Sequence, residues 1–127
     1  MVVQVASFIF SILIGIVILF QLALALGMPW GECAMGGKFP GKLPPPMRFA
    51  AVIQMFVLGF IGSIVLSKAG LWLPEWSDFS GTAVWFVIAF CTLSTFLNII
   101  TTSVWERRIW APVAMLLLVT SLIVAVF

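Results

Sequence analysis

The stretch Val5–Leu26 reads VASFIFSILIGIVILFQLALAL and contains no charged residue. At a rise of ~1.5 Å per residue, a helix of this length matches the ~30 Å hydrocarbon core of a lipid bilayer. Three further stretches of the same character follow, at about Phe49–Leu66, Gly81–Ile100 and Ile109–Phe127. The sequence therefore predicts an all-α membrane protein, a bundle of four transmembrane helices that uses residues 1–127 as a single domain.

The overall composition supports a membrane protein and excludes several classes of function. Hydrophobic residues make up 64% of the chain and charged residues 8%, whereas soluble domains carry ~25% charged residues. The net charge of +2 is too small to indicate a nucleic-acid partner. The chain has no histidine and only two cysteines, so we predict no metal site and no cofactor, and histidine-based catalysis is excluded.

The basic residues predict the orientation of the bundle. Five of the six fall in the first and third loops or at the helix starts that follow them: Lys38, Lys42, Arg48, Arg107 and Arg108. Short cytoplasmic loops carry an excess of Lys and Arg. We therefore expect a multi-pass protein of the cell membrane, with loops one and three in the cytoplasm and both chain ends outside.

Small residues and caps indicate how the helices start and pack. Ser103 and Glu106 fit the S-x-x-E capping box at the start of the fourth helix. Four-residue spacing places Ser7, Ser11 and Gly15 on one face of the first helix. Such faces let helix backbones approach closely in lipid. We expect contacts within the bundle or with a second copy of the chain, which would make a homo-oligomer.

The first loop, Gly27–Met47, reads GMPWGECAMGGKFPGKLPPPM. Its five glycines and five prolines prevent a continuous helix. Apolar residues recur among these turn-forming residues, while charged residues are sparse. Two arrangements remain open, because the loop can lie against the membrane face or dip between the helices and close the bundle.

The spacing of residues in this loop carries a family resemblance. The pattern Pro29-Trp30-Gly31, Gly36-Gly37, Pro40-Gly41, Leu43-Pro44 and Arg48 resembles that of an uncharacterised family of small bacterial four-span integral membrane proteins. The likeness extends over the whole chain in length and span order, although its specific part is the loop. The resemblance implies a four-span fold in a bacterial cytoplasmic membrane. It does not predict an activity.

Three amide side chains interrupt the apolar spans. Gln21, Gln54 and Asn98 each lie ~6–10 Å inside the membrane, counted from the side of loops one and three. An amide that faced lipid would leave donors and acceptors unsatisfied, so we expect these groups to face inward and to bond one another. Asn98 also belongs to a polar stripe on the third helix with Cys91, Thr95 and Thr102.

These amides support two interpretations, a polar pocket that opens toward the cytoplasm beneath the first loop, or structural hydrogen bonds between helices. The pocket hypothesis predicts a small-molecule or lipid-binding or transport-type bundle with a small amphipathic ligand. No catalytic or metal-binding residue is assigned. Eight residues are predicted to bind the ligand: Gln21, Trp30, Glu32, Arg48, Gln54, Asn98, Glu106 and Arg107.

Two other functions remain open from the sequence. The chain has the features expected of an accessory or structural subunit that packs on a larger membrane protein. A less favoured alternative is a lipid-modifying enzyme, with Glu32 and Glu106 as acid–base groups and Cys33 as nucleophile. No histidine is present to activate that thiol.

Overall fold

The computed structural model describes residues 1–34, 38–101 and 103–127, with the backbone alone given for Glu32. Gly36, Gly37 and Thr102, which the sequence analysis singled out, lie outside the described residues. The described part of the chain contains four long helices: α1 (Val2–Leu26), α2 (Pro45–Lys68), α3 (Ser77–Ile100) and α4 (Val104–Val126). All four are long and apolar enough to cross a membrane. The prediction of an all-α, multi-pass membrane fold is confirmed.

Each helix begins three to five residues before the apolar stretch that predicted it. The reason is that a first helical turn does not have to be apolar. At the start of α2, Pro45 occupies the first turn, where its fixed φ suits a helix and its missing N–H costs nothing. Before α3, the 3₁₀ turn Pro74–Trp76 runs directly into the helix at Ser77.

The four helices form a closed ring in which each contacts its neighbours in chain order and α4 returns to pack on α1. This is the up-down-up-down arrangement of a four-helix bundle. The first and third loops therefore lie at one end of the bundle, here named the loop-one end. Fully buried side chains from each helix fill the core, among them Phe10, Val65, Val84 and Val124.

One contact between α1 and α2 involves Gly62, which the spacing did not single out. A Cβ atom on Gly62 would lie 3.5 Å from Ile14 Cγ2, an ordinary van der Waals distance, so an alanine would also fit there. A Cβ atom on Gly15 or Gly59 would meet no heavy atom within 4 Å. Within the described chain, these two glycines are therefore not sites of close helix packing.

Helix ends at the loop-one end follow local rules. The Ser103 hydroxyl accepts a hydrogen bond from the Glu106 backbone N–H at 3.2 Å, which confirms the predicted N-cap of α4. Helix α1 ends at Gly27, whose φ of 101° is left-handed. There the N–H of Met28 donates to the Ala23 carbonyl at 3.0 Å, the hydrogen bond that marks a Schellman motif. This turn directs the first loop back across the bundle.

Candidate functional site: a polar cavity beneath the first loop

The described parts of the first loop, residues 27–34 and 38–47, pack on the helices at the loop-one end. Leu43 is buried at 2% exposure. It belongs to a small apolar cluster with Leu24, Ala34 and Ala51. The backbone N–H of Gly31 donates to the Gly41 carbonyl at 2.8 Å. Of the two arrangements left open by the sequence, the structure therefore shows the one in which the loop covers the bundle.

Aromatic side chains connect the loop to α1 and α4. The Trp110 indole N–H donates to the Cys33 carbonyl at 3.0 Å. The Phe20 ring lies 4.6 Å from the Trp110 ring, measured between centroids, at an interplanar angle of 53°. The Trp30 ring is parallel to Phe20 at 6.3 Å. Because Trp110 both bonds the loop backbone and contacts α1, its ring is fixed by the protein itself.

A cavity of about 270 Å³ lies beneath this loop. That volume is equivalent to roughly nine water molecules at ~30 Å³ each. All four helices contribute to its walls. The polar lining residues are Gln21, Gln54, Ser94, Asn98 and Glu106, and the loop adds Cys33 and Ala34. The remaining lining residues include Val17, Phe20, Ala50, Trp110, Val113, Ala114 and Leu117.

The structure brings together four of the eight residues predicted to bind a ligand. Gln21 of α1, Gln54 of α2, Asn98 of α3 and Glu106 of α4 all line this cavity. Each of these side chains comes from a different helix, so the fold converges them from distant points of the chain. The shared depth of the three amides in the sequence pattern is the feature that made their grouping predictable.

Of the other four predicted residues, three do not line the cavity, and the fourth, Glu32, is not tested. Trp30 is 42% exposed and lies against Phe20. Arg48 donates from Nε to the Ala25 carbonyl at 2.9 Å, where it satisfies an unpaired carbonyl at the end of α1. Arg107 is exposed, because consecutive helical residues point ~100° apart around the axis. The side chain of Glu32 lies outside the described residues.

The amides do not bond one another, contrary to the expectation from the sequence. Asn98 donates from Nδ2 to the Ser94 carbonyl of its own helix at 2.7 Å. Gln21 and Gln54 have no side-chain hydrogen-bond partner within the described part of the chain. No buried side-chain nitrogen or oxygen atom lacks a partner there, so the free amide groups are accessible. All three residues line the cavity without a hydrogen bond from one amide to another.

Glu106 is the acidic group of the cavity wall. Its residue is buried at 9% exposure. Glu106 lies in the first turn of α4, three residues after the N-cap Ser103, where the capping-box spacing predicts it. Among the described residues that line the cavity, none is Lys or Arg. The described wall is therefore mostly apolar, with a few polar groups and an acidic rather than a basic side chain.

Sequence reasoning missed two lining residues that helical spacing could have supplied and a third, Phe20, that it could not. Ser94 precedes Asn98 by four residues, and Trp110 follows Glu106 by four residues. Side chains four apart share one face of a helix. Phe20 directly precedes Gln21, so four-residue spacing does not place it on the same helix face. Its position depends instead on contacts with Trp110 and Trp30.

A second cleft, between α2 and α3, differs in chemistry from the polar cavity. Its volume is about 470 Å³ and its walls are apolar apart from Thr82, with Phe60, Phe86 and Phe90 prominent. These side chains belong to the half of the bundle away from the loop-one end. Such a cleft offers few of the hydrogen bonds that orient a polar ligand, and lipid chains suit it.

Comparison of the chain with protein-family models, with curated proteins and with solved structures finds no match. The family resemblance of the first loop therefore stays a prediction. In the described part of the chain, no group of three or more His, Cys, Asp or Glu side chains is placed to hold a metal ion. Among the described lining residues, the chemical groups of the site are amides, a hydroxyl, the Glu106 carboxyl, the Cys33 thiol and aromatic rings.

Proposed function

We propose that this membrane protein binds a small polar or amphipathic molecule in the cavity beneath its first loop. The observation that supports the proposal is the convergence of Gln21, Gln54, Asn98 and Glu106, one from each helix, on a single cavity. Ligand sites are typically concave and mostly apolar, with a few polar groups that fix the orientation of the ligand. The composition of this wall fits that description.

The hydrogen bonds of the amides favour a binding role over a purely structural one. Amides that hold helices together bond directly from one helix to another. Here the Asn98 amide bonds its own helix, and the Gln21 and Gln54 amides have no partner among the described residues. A desolvated amide without a hydrogen bond costs several kcal/mol, on the order of 2–7. Whatever occupies the cavity must therefore supply donors and acceptors, as a polar ligand or water does.

We further propose that the ligand reaches the cavity from the cytoplasm. Five of the six basic residues belong to the loop-one end of the chain, which favours a cytoplasmic position for that end. The first loop then forms the cytoplasmic cover of the cavity. Helix α1 carries no charged residue, so we propose binding or passive passage rather than transport coupled to a carboxylate in that helix.

Native mass spectrometry of the protein released from detergent micelles tests this proposal. The wild-type chain is expected to retain a small-molecule adduct in a defined ratio to protein. The double substitution Gln54→Leu with Asn98→Leu is expected to lose it, because both amides leave the wall. A matched control replaces Phe56 and Phe96, which face outward at 76% and 57% exposure, with leucine. An adduct that survives the amide substitutions, or no adduct on the wild type, contradicts the proposal.

A further inference from the structure

We infer that Lys42 and Arg48 form a binding site for a phosphate group at the end of α1, and that an anionic phospholipid supplies the phosphate. Neither residue lines the cavity, so the inference does not depend on the proposed function. Three observations lead to it. The two cationic groups converge, the described chain gives them no acidic partner, and they lie at the membrane surface.

Lys42 and Arg48 converge at the left-handed turn that ends α1. A Cβ atom on Gly27 would lie 3.5 Å from Lys42 Nζ and 3.5 Å from Arg48 Nη2. The two nitrogen atoms are therefore no further apart than twice that distance. Hydrogen bonds from charged nitrogen donors to an anionic oxygen are ~2.7–2.9 Å long. A phosphate group that uses two of its oxygen atoms can therefore bridge this pair.

Contacts within the protein hold both cations in place. Arg48 Nε donates to the Ala25 carbonyl at 2.9 Å, which orients the guanidinium. Lys42 directly precedes Leu43, which is buried at 2% exposure. The absence of a side chain at Gly27 leaves room for Lys42, since a Cβ atom there would lie 2.9 Å from Lys42 Cε. The site is therefore largely formed before a ligand binds, which lowers the cost of binding.

The positive charge of the pair is not offset within the described part of the chain. Neither Lys42 nor Arg48 forms an ion pair there, and the hydrogen bond of Arg48 to α1 uses only Nε. The Nη groups of the guanidinium and the Lys42 ammonium therefore keep their donors for a ligand. Two like charges this close repel each other, and an anion between them reverses that effect. Arg and Lys side chains are both common ligands of phosphate.

The position of the site favours the phosphate of a lipid. The site lies where α1 ends at Leu26 and α2 begins at Pro45, and both helices are long enough to cross the membrane. Helix ends of this kind lie at the level of the lipid headgroups. Leu26 and Phe49, which flank the site in sequence, are 72% and 67% exposed and are available for contact with acyl chains. Basic pockets beside transmembrane helices bind anionic headgroups.

Native mass spectrometry of the protein in a maltoside detergent tests the inference with two lipids. Dioleoyl phosphatidic acid carries the phosphate, and dioleoylglycerol has the same acyl chains without it. The wild type is expected to bind phosphatidic acid at least about tenfold more tightly. Lys42→Met keeps the stem of the side chain but removes the charge, and it is expected to reduce that preference about fivefold. Because it leaves the hydrogen bond of Arg48 to α1 intact, this variant is preferred to Arg48→Gln.

A control variant and a second probe make the test specific. Lys38→Met removes an exposed lysine from the same loop, with the same change in net charge, and is expected to leave the preference unchanged. Equilibrium dialysis with radiolabelled inorganic phosphate measures the other source of the ligand. Free phosphate lacks acyl-chain contacts and is expected to bind at least about tenfold more weakly than phosphatidic acid.

Each alternative outcome overturns the inference in a different way. Equal binding of the two lipids, or a preference that Lys42→Met leaves intact, shows that this pair does not hold a phosphate. An equal loss in Lys38→Met shows a general effect of charge. Binding of inorganic phosphate that depends on Lys42, without a preference between the lipids, overturns the assignment to a lipid. None of these results bears on the cavity, which the amide variants test separately.

Discussion

Replacing Gly31 with alanine is expected to damage the loop that covers the cavity. A Cβ atom on Gly31 would lie 1.8 Å from the Phe39 carbonyl oxygen and 2.6 Å from the Gly41 carbonyl oxygen. Both neighbours are backbone atoms, so no side-chain rotation relieves the contact. The loop must move by more than ~1 Å to restore a normal contact distance, since carbon atoms pack at ~3.5–4.0 Å.

The expected cost follows from what that movement breaks. Overpacking of a well-packed site costs ~1–3 kcal/mol. The hydrogen bond from Gly31 to Gly41 is worth a further ~1 kcal/mol. Against this, alanine reduces the entropy of the unfolded chain and stabilises by ~0.4–1 kcal/mol. We therefore expect Gly31→Ala to lower the free energy of unfolding by ~2–3 kcal/mol.

Thermal unfolding in a maltoside detergent, followed by tryptophan fluorescence, measures the effect. Gly59→Ala is the matched control, because it makes the same chemical change inside α2 where a Cβ atom meets nothing within 4 Å. That variant is expected to be as stable as the wild type, or more stable by up to ~1 kcal/mol. If Gly31→Ala unfolds at the same temperature as Gly59→Ala, the close approach in the first loop is not real.

Three further changes test separate parts of the structure. Ser103→Ala removes the cap that bonds the Glu106 N–H and is expected to cost ~1 kcal/mol in chemical unfolding; an unchanged midpoint would contradict the role of the cap. Trp110→Phe keeps a ring but removes the hydrogen bond to the Cys33 carbonyl, so Cys33 should react several-fold faster with N-ethylmaleimide, and an unchanged rate would show that the loop is held elsewhere. Lys38→Cys, in a variant without Cys33, should react with an impermeant maleimide in inverted vesicles but not in intact cells; the reverse result would invert the proposed orientation.

Much of the architecture could be predicted because the bilayer imposes it. Four apolar stretches of membrane-spanning length correspond to the four helices. The grouping of Gln21, Gln54 and Asn98 was also predictable, since their common depth and the cost of exposing an amide to lipid both place them inside the bundle. Their hydrogen bonds were not predictable, because the separation between helices depends on the packing of all four.

The details that escaped prediction depend on contacts distant in sequence. The left-handed turn at Gly27 reverses the chain after α1. Arg48 then donates a hydrogen bond to the Ala25 carbonyl at the end of α1 and does not line the cavity. No local sequence pattern predicts that Gly31 lies close to the backbone of Phe39 and Gly41. The burial of Glu106 depends on which face of α4 packs inward, and the capping box predicts where the helix begins but not that face.

The central claim is that a water-accessible polar cavity lies among the helices at the loop-one end. A direct test compares Gln54→Cys with Phe56→Cys, in a background with Cys33→Ser and Cys91→Ala. The two positions share one helix and nearly one depth, but Gln54 lines the cavity and Phe56 is 76% exposed on the outside.

The measurement is the rate at which each thiol reacts with N-ethylmaleimide in lipid vesicles. The thiolate is the reactive form and needs water to be populated, so a cavity thiol should react at least about tenfold faster than one in lipid. A cysteine at position 54 that reacts as slowly as one at position 56 would show a dry helix interface and would contradict the cavity.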